Sequence, residues 1–182
     1  MRKVLAVMAA SLAVVALGAE PALPGDSVYR VEAKFKTDEG KAFALASLRG
    51  RPVILAFAYT TCGSTCPLAM RKLKLLEAQL GDRRGAVDFV VVSLDPEKDT
   101  PQTLANFRKH QGITAANWHL LTGVVADTRL LAMAVGFKFA KVAQTGQVMH
   151  DNKLFRLDDE GRVAAVVTSL DEDTSALLVG VP

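Results

Sequence analysis

The feature that most constrains this chain is a pair of cysteines set in the turn between an apolar strand and a helix. Residues 53–58 are continuously apolar and read as a buried strand, and residues 68–80 carry leucines at 68, 73, 75, 76 and 80, a helical spacing. Between them stand Cys62 and Cys66, the only cysteines of the protein, followed at once by Pro67. A turn from strand to helix places what it carries at the carboxyl end of the strand, where open α/β sheets put their chemistry. The four-residue spacing lets both sulfurs meet on one side of a helix mouth. Pro67 suits a first helical position, where no N–H is needed. On this reading Cys66 lies at the positive end of the helix dipole, which favours its thiolate. Closing so short a loop with a disulfide removes little chain entropy, so reactive or metal-binding sulfurs explain the pair better than a structural crosslink.

Length and composition bound the rest. A chain of 182 residues, half of them hydrophobic and 23% charged, is enough for one globular domain with a core. The net charge of +3 is small, and no Lys/Arg block interleaved with aromatics appears, so no nucleic-acid partner is expected. Arg2 and Lys3 precede an apolar run over residues 4–17, and Ala16, Gly18 and Ala19 follow the pattern of a cleavage site. That describes an export signal over residues 1–19, cleaved after Gly18 or Ala19 or kept as an N-terminal anchor. The run is short of the roughly 20 apolar residues of a bilayer span, and no cysteine follows it to carry a lipid. Residues 20–28, with Pro21, Pro24 and Gly25, read as a linker, and residues 29–182 as the working domain, placed in the periplasm. There, two thiols must be held reduced by a partner, occupied by a metal, or oxidised.

Along the chain, residues 29–35 and 42–48 flank the turn Asp38-Glu39-Gly40-Lys41 and predict an N-terminal hairpin. Residues 87–94 are the strongest strand, rich in β-branched residues and nearly continuously apolar, as a buried parallel strand should be. Asp99 or Thr100 before Pro101 supplies a helix cap, Asp99 being the simpler choice, and that helix runs to about His110. A short strand at 118–121, a helix over 126–135 stopped by Gly136, and a strand over 137–142 follow. A loop over 144–147, a hairpin from 154–157 to 162–167, and a closing helix over 171–178 complete the order. The whole predicts an α/β thioredoxin-like sandwich: a mixed central sheet flanked by helices, with an N-terminal β-hairpin.

Three histidines could complete a site. His110 ends a helix and His119 alternates with Trp118 in a strand; both read as structural. His150 lies between a Gly-containing loop and the 154–157 strand, the place that faces the cysteine turn in this topology, and is the candidate ligand. Met149 beside it is a soft donor, though methionine more often fills gaps in cores. Disulfide oxidoreductases of this fold set a cis-proline loop against their cysteines, yet no proline lies between Pro101 and Pro182. Two thiolates and one imidazole form a soft three-coordinate set that suits copper, as Cu(I) or Cu(II), better than magnesium or calcium. No fourth ligand for structural zinc is evident. Asp95, at the end of the 87–94 strand, is a candidate to orient the site from behind.

These residues fall into a known pattern. The stretch Phe57-Ala58-Tyr59-Thr60-Thr61-Cys62-Gly63-Ser64-Thr65-Cys66-Pro67 resembles the F-x-Y-T-x-C-x-x-x-C-P signature of the Sco/SenC family, copper chaperones of cytochrome c oxidase assembly. Val92 to Pro101 is similar to its V-S-x-D-P-x-x-D-T-P segment, Trp118-His119-Leu120-Leu121-Thr122-Gly123 to its W-x-x-L-T-G, and His150 with Asp158, Gly161 and Arg162 to its ending. Thr37 to Gly40 and Leu48-Arg49-Gly50 match the region before the central strand. Gln144 and Gln147 stand where the family often has aspartate and tyrosine, and no acidic residue separates the cysteines. The resemblance implies a thioredoxin-like fold, Cys62, Cys66 and His150 as copper ligands, and delivery of copper to the binuclear site of cytochrome c oxidase subunit II or another periplasmic acceptor. A second function stays open: a thiol–disulfide reductase using Cys62 and Cys66 as its redox pair, recharged by a periplasmic thiol reductant. A peroxidase is a third and weaker reading, since peroxidases of this fold carry their cysteine in a different local pattern.

Overall fold

A computed structural model describes residues 22–63 and 65–181; the export segment at residues 1–19 lies outside them. Seven strands form one sheet: β1 (Phe35–Thr37), β2 (Ala42–Phe43), β3 (Val53–Ala58), β4 (Asp88–Ser93), β5 (Trp118–Gly123), β8 (Leu154–Leu157) and β9 (Val163–Val167). Their order is β2-β1-β5-β4-β3-β8-β9. The middle three run parallel, with Val53 opposite Asp88 and Phe89 opposite Trp118, and the flanking strands are antiparallel. The expected mixed sheet is present.

Burial explains why the central strands are so uniformly apolar. Side chains alternate across a strand, and every residue of β3 and β4 is buried. Ile54, Ala56 and Ala58 turn to one face, packed with Met70, Leu73 and Leu76 of α1 (Thr65–Leu80) and Leu104 of α2 (Pro101–His110). Val53, Leu55 and Phe57 turn to the other, packed with Leu131 and Ala132 of α3 (Val125–Ala134). Two apolar layers demand strands apolar on both sides.

Four local expectations are corrected. The N-terminal hairpin is shorter than its apolar pattern, because Ser27 caps a 3-10 turn at Val28–Arg30 and a second such turn spans Leu45–Leu48. Helix α2 is capped by the Thr100 side chain, which accepts from Thr103 N at 3.2 Å, while Asp99 turns inward. The closing helix over 171–178 is a 3-10 turn at Ser175–Leu178 only. Ser169 Oγ accepts from Asp171 N and Asp173 accepts from both N and Oγ of Ser175, so side chains take the amides a helix would use. Finally, the strand expected over 137–142 is present but shorter, and it stands apart from the main sheet. Its residues Phe139–Lys141 (β6) pair antiparallel with Val148–His150 (β7) as a separate two-stranded ribbon.

Candidate metal centre

The site grows from the end of β3. Tyr59 and Thr60 leave the strand, and Thr60 is fastened by Asp99, which is fully buried. The Asp99 carboxylate accepts from Thr60 N at 3.2 and 3.3 Å, from Thr60 Oγ1 at 2.5 Å and from Ser93 Oγ at 2.6 Å. The chain then reaches Cys62 and enters α1 at Thr65, three residues earlier than the leucine spacing indicated. Cys66 therefore lies inside the first helical turn, 3% exposed, while Cys62 stays half-buried.

That shift changes which sulfur meets the helix terminus. Cys66 N donates to Cys62 Sγ at 3.4 Å, so Cys62 occupies the place of an N-cap acceptor. The expected thiolate at Cys66 is not favoured in the metal-free protein: burial, then a hydrogen bond with Cys62, pushes its thiol up to about 12. A hydrogen bond with the Tyr59 backbone pulls it down by less. Desolvation outweighs the dipole here.

His150 arrives from β7. Its Nδ1 lies 2.7 Å from Asp151 O. A carbonyl only accepts, so Nδ1 is the donor in this bond and Nε2 is the ring nitrogen left for a ligand role. The ring lies against Phe137, with centroids 6.1 Å apart and planes at 21°, and meets Tyr59 edge-on at 6.0 Å. The two sulfurs and one ring nitrogen of His150 all lie within 4.8 Å of one another. Bonds of about 2.0–2.3 Å to a first-row ion put donors roughly 4 Å apart in a planar three-ligand set, so a small contraction closes the group around one ion. Among the described residues this is the one cluster of three such groups that could hold a metal.

Other candidates separate cleanly. His119 Nε2 bonds Asp88 Oδ1 at 2.9 Å, at the other end of the parallel strands, and is structural as expected. His110 is exposed at the end of α2. Met149 points off the far face of the ribbon, 68% exposed. Asp95 is buried, but its described ion pairs are with Lys141 and Lys98 rather than with the site residues. Tyr59 was missed by sequence reasoning. It hydrogen-bonds Cys62, its Oη lies 3.5 Å from Val148 O, and burial followed by the Cys62 bond raises its phenol above the ordinary value. In the sequence it stands out only as part of the family signature, since its bond to Cys62 is a feature of the folded turn.

Comparison with known proteins identifies the family and the fold. The SCO1/SenC family model matches residues 26–178. The chain is 29% identical over 139 residues to the SCO1 protein homolog of Bacillus subtilis, covering 74% of this chain and 72% of that one. The copper-bound structure of ScoI from Arabidopsis thaliana superposes with a TM-score of 0.70 at 25% identity, over 82% of this chain and 92% of that one. BsSco, a member of the Sco family of cytochrome c oxidase assembly proteins in which a disulfide switch was identified, does so with a TM-score of 0.66 at 25% identity, over 78% and 84%.

Proposed function

The chain belongs to the SCO1/SenC family, and from that premise we propose that it is an exported copper-binding protein of cytochrome c oxidase assembly. Cys62, Cys66 and His150 would take the copper and pass it to the binuclear copper site of oxidase subunit II, or to another periplasmic acceptor. The observation that carries this reading is the convergence of two thiols and an imidazole within 4.8 Å. The donor chemistry fits: soft sulfurs with one imidazole suit copper, and among the described residues no carboxylate joins the cluster. Copper there is cargo rather than a resident cofactor, and a three-ligand set leaves a side open for an incoming acceptor ligand. Export rests on residues 1–19; among the described residues no helix is long and apolar enough to cross a membrane.

Each residue has a task. Cys62 is the more accessible sulfur and is the entry and exit point. Cys66 is the buried anchor, releasing its proton as copper binds. His150 contributes Nε2, its ring fixed by Asp151 O and Phe137. Titration of the reduced protein should give one copper per chain and a thiolate-to-copper absorption band, with His150→Ala weakening binding and altering the band. Failure to bind copper, or binding indifferent to His150, would defeat the reading.

The adjacency of the two sulfurs favours a second one. As a dithiol, the pair would transfer two electrons and two protons to a partner's disulfide, leaving Cys62–Cys66 oxidised and the partner reduced, with a periplasmic thiol reductant restoring it. Reduction of a model disulfide that ignores copper and survives His150→Ala would select this over delivery.

A further inference from the structure

His150 stands on a piece of structure that the main sheet does not hold. The β6–β7 ribbon is its own two-stranded sheet, and such a ribbon is marginal by itself in water. Its register sets Phe139 opposite His150 and Lys141 opposite Val148. Alternation along each strand therefore puts Phe139, Lys141, Val148 and His150 on one face, and Ala140 and Met149 on the other. Val148 is 5% exposed and Met149 68%, so the face bearing His150 is the one turned to the body of the protein.

Lys141 reaches from that face to the loop after β4. Its Nζ donates to Asp95 Oδ1 at 2.8 Å and to Glu97 Oε2 at 2.7 Å. Asp95 is 2% exposed, and its Oδ2 has no hydrogen-bond partner, with Lys98 Nζ 3.7 Å away. The ribbon has other ties, mostly apolar: Phe137 stacks on the His150 ring and the Arg129 guanidinium lies over Phe139 at 5.9 Å. Tyr59 Oη meets Val148 O at 3.5 Å, the outer limit of a hydrogen bond, and Val148 and Phe139 pack against the core on the α3 side.

We propose that Lys141 is a positioning residue for the metal centre: its ion pairs with Asp95 and Glu97 latch the ribbon so that His150 stays over the cysteine pair. The significance of the latch rests on the copper reading, but its existence does not. The competing account is that Lys141 only neutralises Asp95, because a buried carboxylate stripped of its cation is costly wherever it sits. The two accounts part when both charges are removed together.

The test uses full-length Lys141→Arg, Lys141→Met and Asp95→Asn/Lys141→Met in the reduced, metal-free state. Two measurements are read by peptide mass: amide hydrogen exchange over residues 148–150, and the rate at which diethyl pyrocarbonate modifies His150. Both should rise about three- to tenfold in Lys141→Met and in the double variant, and stay near wild type in Lys141→Arg. With copper, Lys141→Met should keep its thiolate band, lose the histidine nitrogen coupling, and bind about tenfold more weakly. Wild-type exchange and modification in the double variant would overturn the proposal and leave Lys141 as a counter-charge. If Lys141→Met does not fold, the double variant, which leaves no buried charge alone, decides. Glu97→Gln, on a side chain 70% exposed, reads the same effect at smaller size without touching the core. A wild type that binds no copper would sink the copper reading while these metal-free results still settled the latch.

Discussion

Replacing Asp99 by alanine should cost far more than its apparent role as a helix cap allows. The carboxylate, fully buried, accepts from Thr60 N, Thr60 Oγ1 and Ser93 Oγ. Alanine leaves three donors facing a small void. A buried donor left unsatisfied costs about 1–3 kcal/mol. Ser93 is 2% exposed and bears the full penalty, whereas Thr60 is half-buried and recovers part of its loss from water. The sum is about 3–5 kcal/mol, which for a domain of this size lowers Tm by roughly 6–20 °C. Thr100→Ala, removing the real cap, should cost only about 1 kcal/mol, or roughly 2–4 °C. Because Thr60 begins the turn that carries Cys62, Asp99→Ala should also weaken copper binding about tenfold, and Thr100→Ala should leave it unchanged. Thermal melts followed by circular dichroism on the reduced metal-free protein, with copper titration alongside, check both halves. If Thr100→Ala proved the more damaging, or if Asp99→Ala melted within about 3 °C of wild type, the buried-acceptor argument would be refuted.

Other outcomes follow from the same geometry. Burial holds the Cys66 thiol at about 12, so copper must expel that proton. A group still protonated in the free protein makes affinity climb with pH, roughly tenfold per unit for each proton released. Competition with a chelator between about pH 6 and 8 should show this slope, and a flat profile would contradict it. Gly161 has φ +80°, and a Cβ there would lie 2.6–2.8 Å from the buried Tyr29 ring. Gly161→Ala should therefore destabilise by about 2–4 kcal/mol, seen as a lower urea midpoint at unchanged slope; an unmoved midpoint would count against the packing described for Tyr29.

Much of the fold was legible because its signals are local. The β-branched run at β4, the apolar run at β3 and the proline that opens α2 each declare an element within a few residues, and α2 ends at His110 as its sequence indicated. Local signals failed where two short-range options competed. Over residues 171–178, the side chains of Ser169 and Asp173 accept from the amides of Asp171 and Ser175, bonds that a helix would have to displace. At Asp99-Thr100 either side chain could have capped α2. The choice is made by Thr60, 39 residues away, which claims Asp99 for itself.

The candidate site divides along the same line. Its three donors were readable from residue type and order, since two cysteines at a strand–helix turn and a histidine on the facing segment are chemistry written locally. How they are held was not readable, because each support is a contact between distant segments: Asp99 with Thr60, Tyr59 with the β7 backbone, Lys141 with Asp95. The thiol at Cys66 shows the consequence most plainly. Sequence placed it at a helix terminus, where a dipole worth at most about 2 kcal/mol favours the charged form. The fold starts the helix two residues before Pro67 and buries Cys66 within its first turn, to 3% exposure, where desolvation of a charge exceeds that field. The same two cysteines thus become unlike sulfurs, one accessible at the mouth and one buried and proton-bound. On the proposed function, Cys62 would offer the more reachable sulfur, and Cys66 would have to give up a proton to join it.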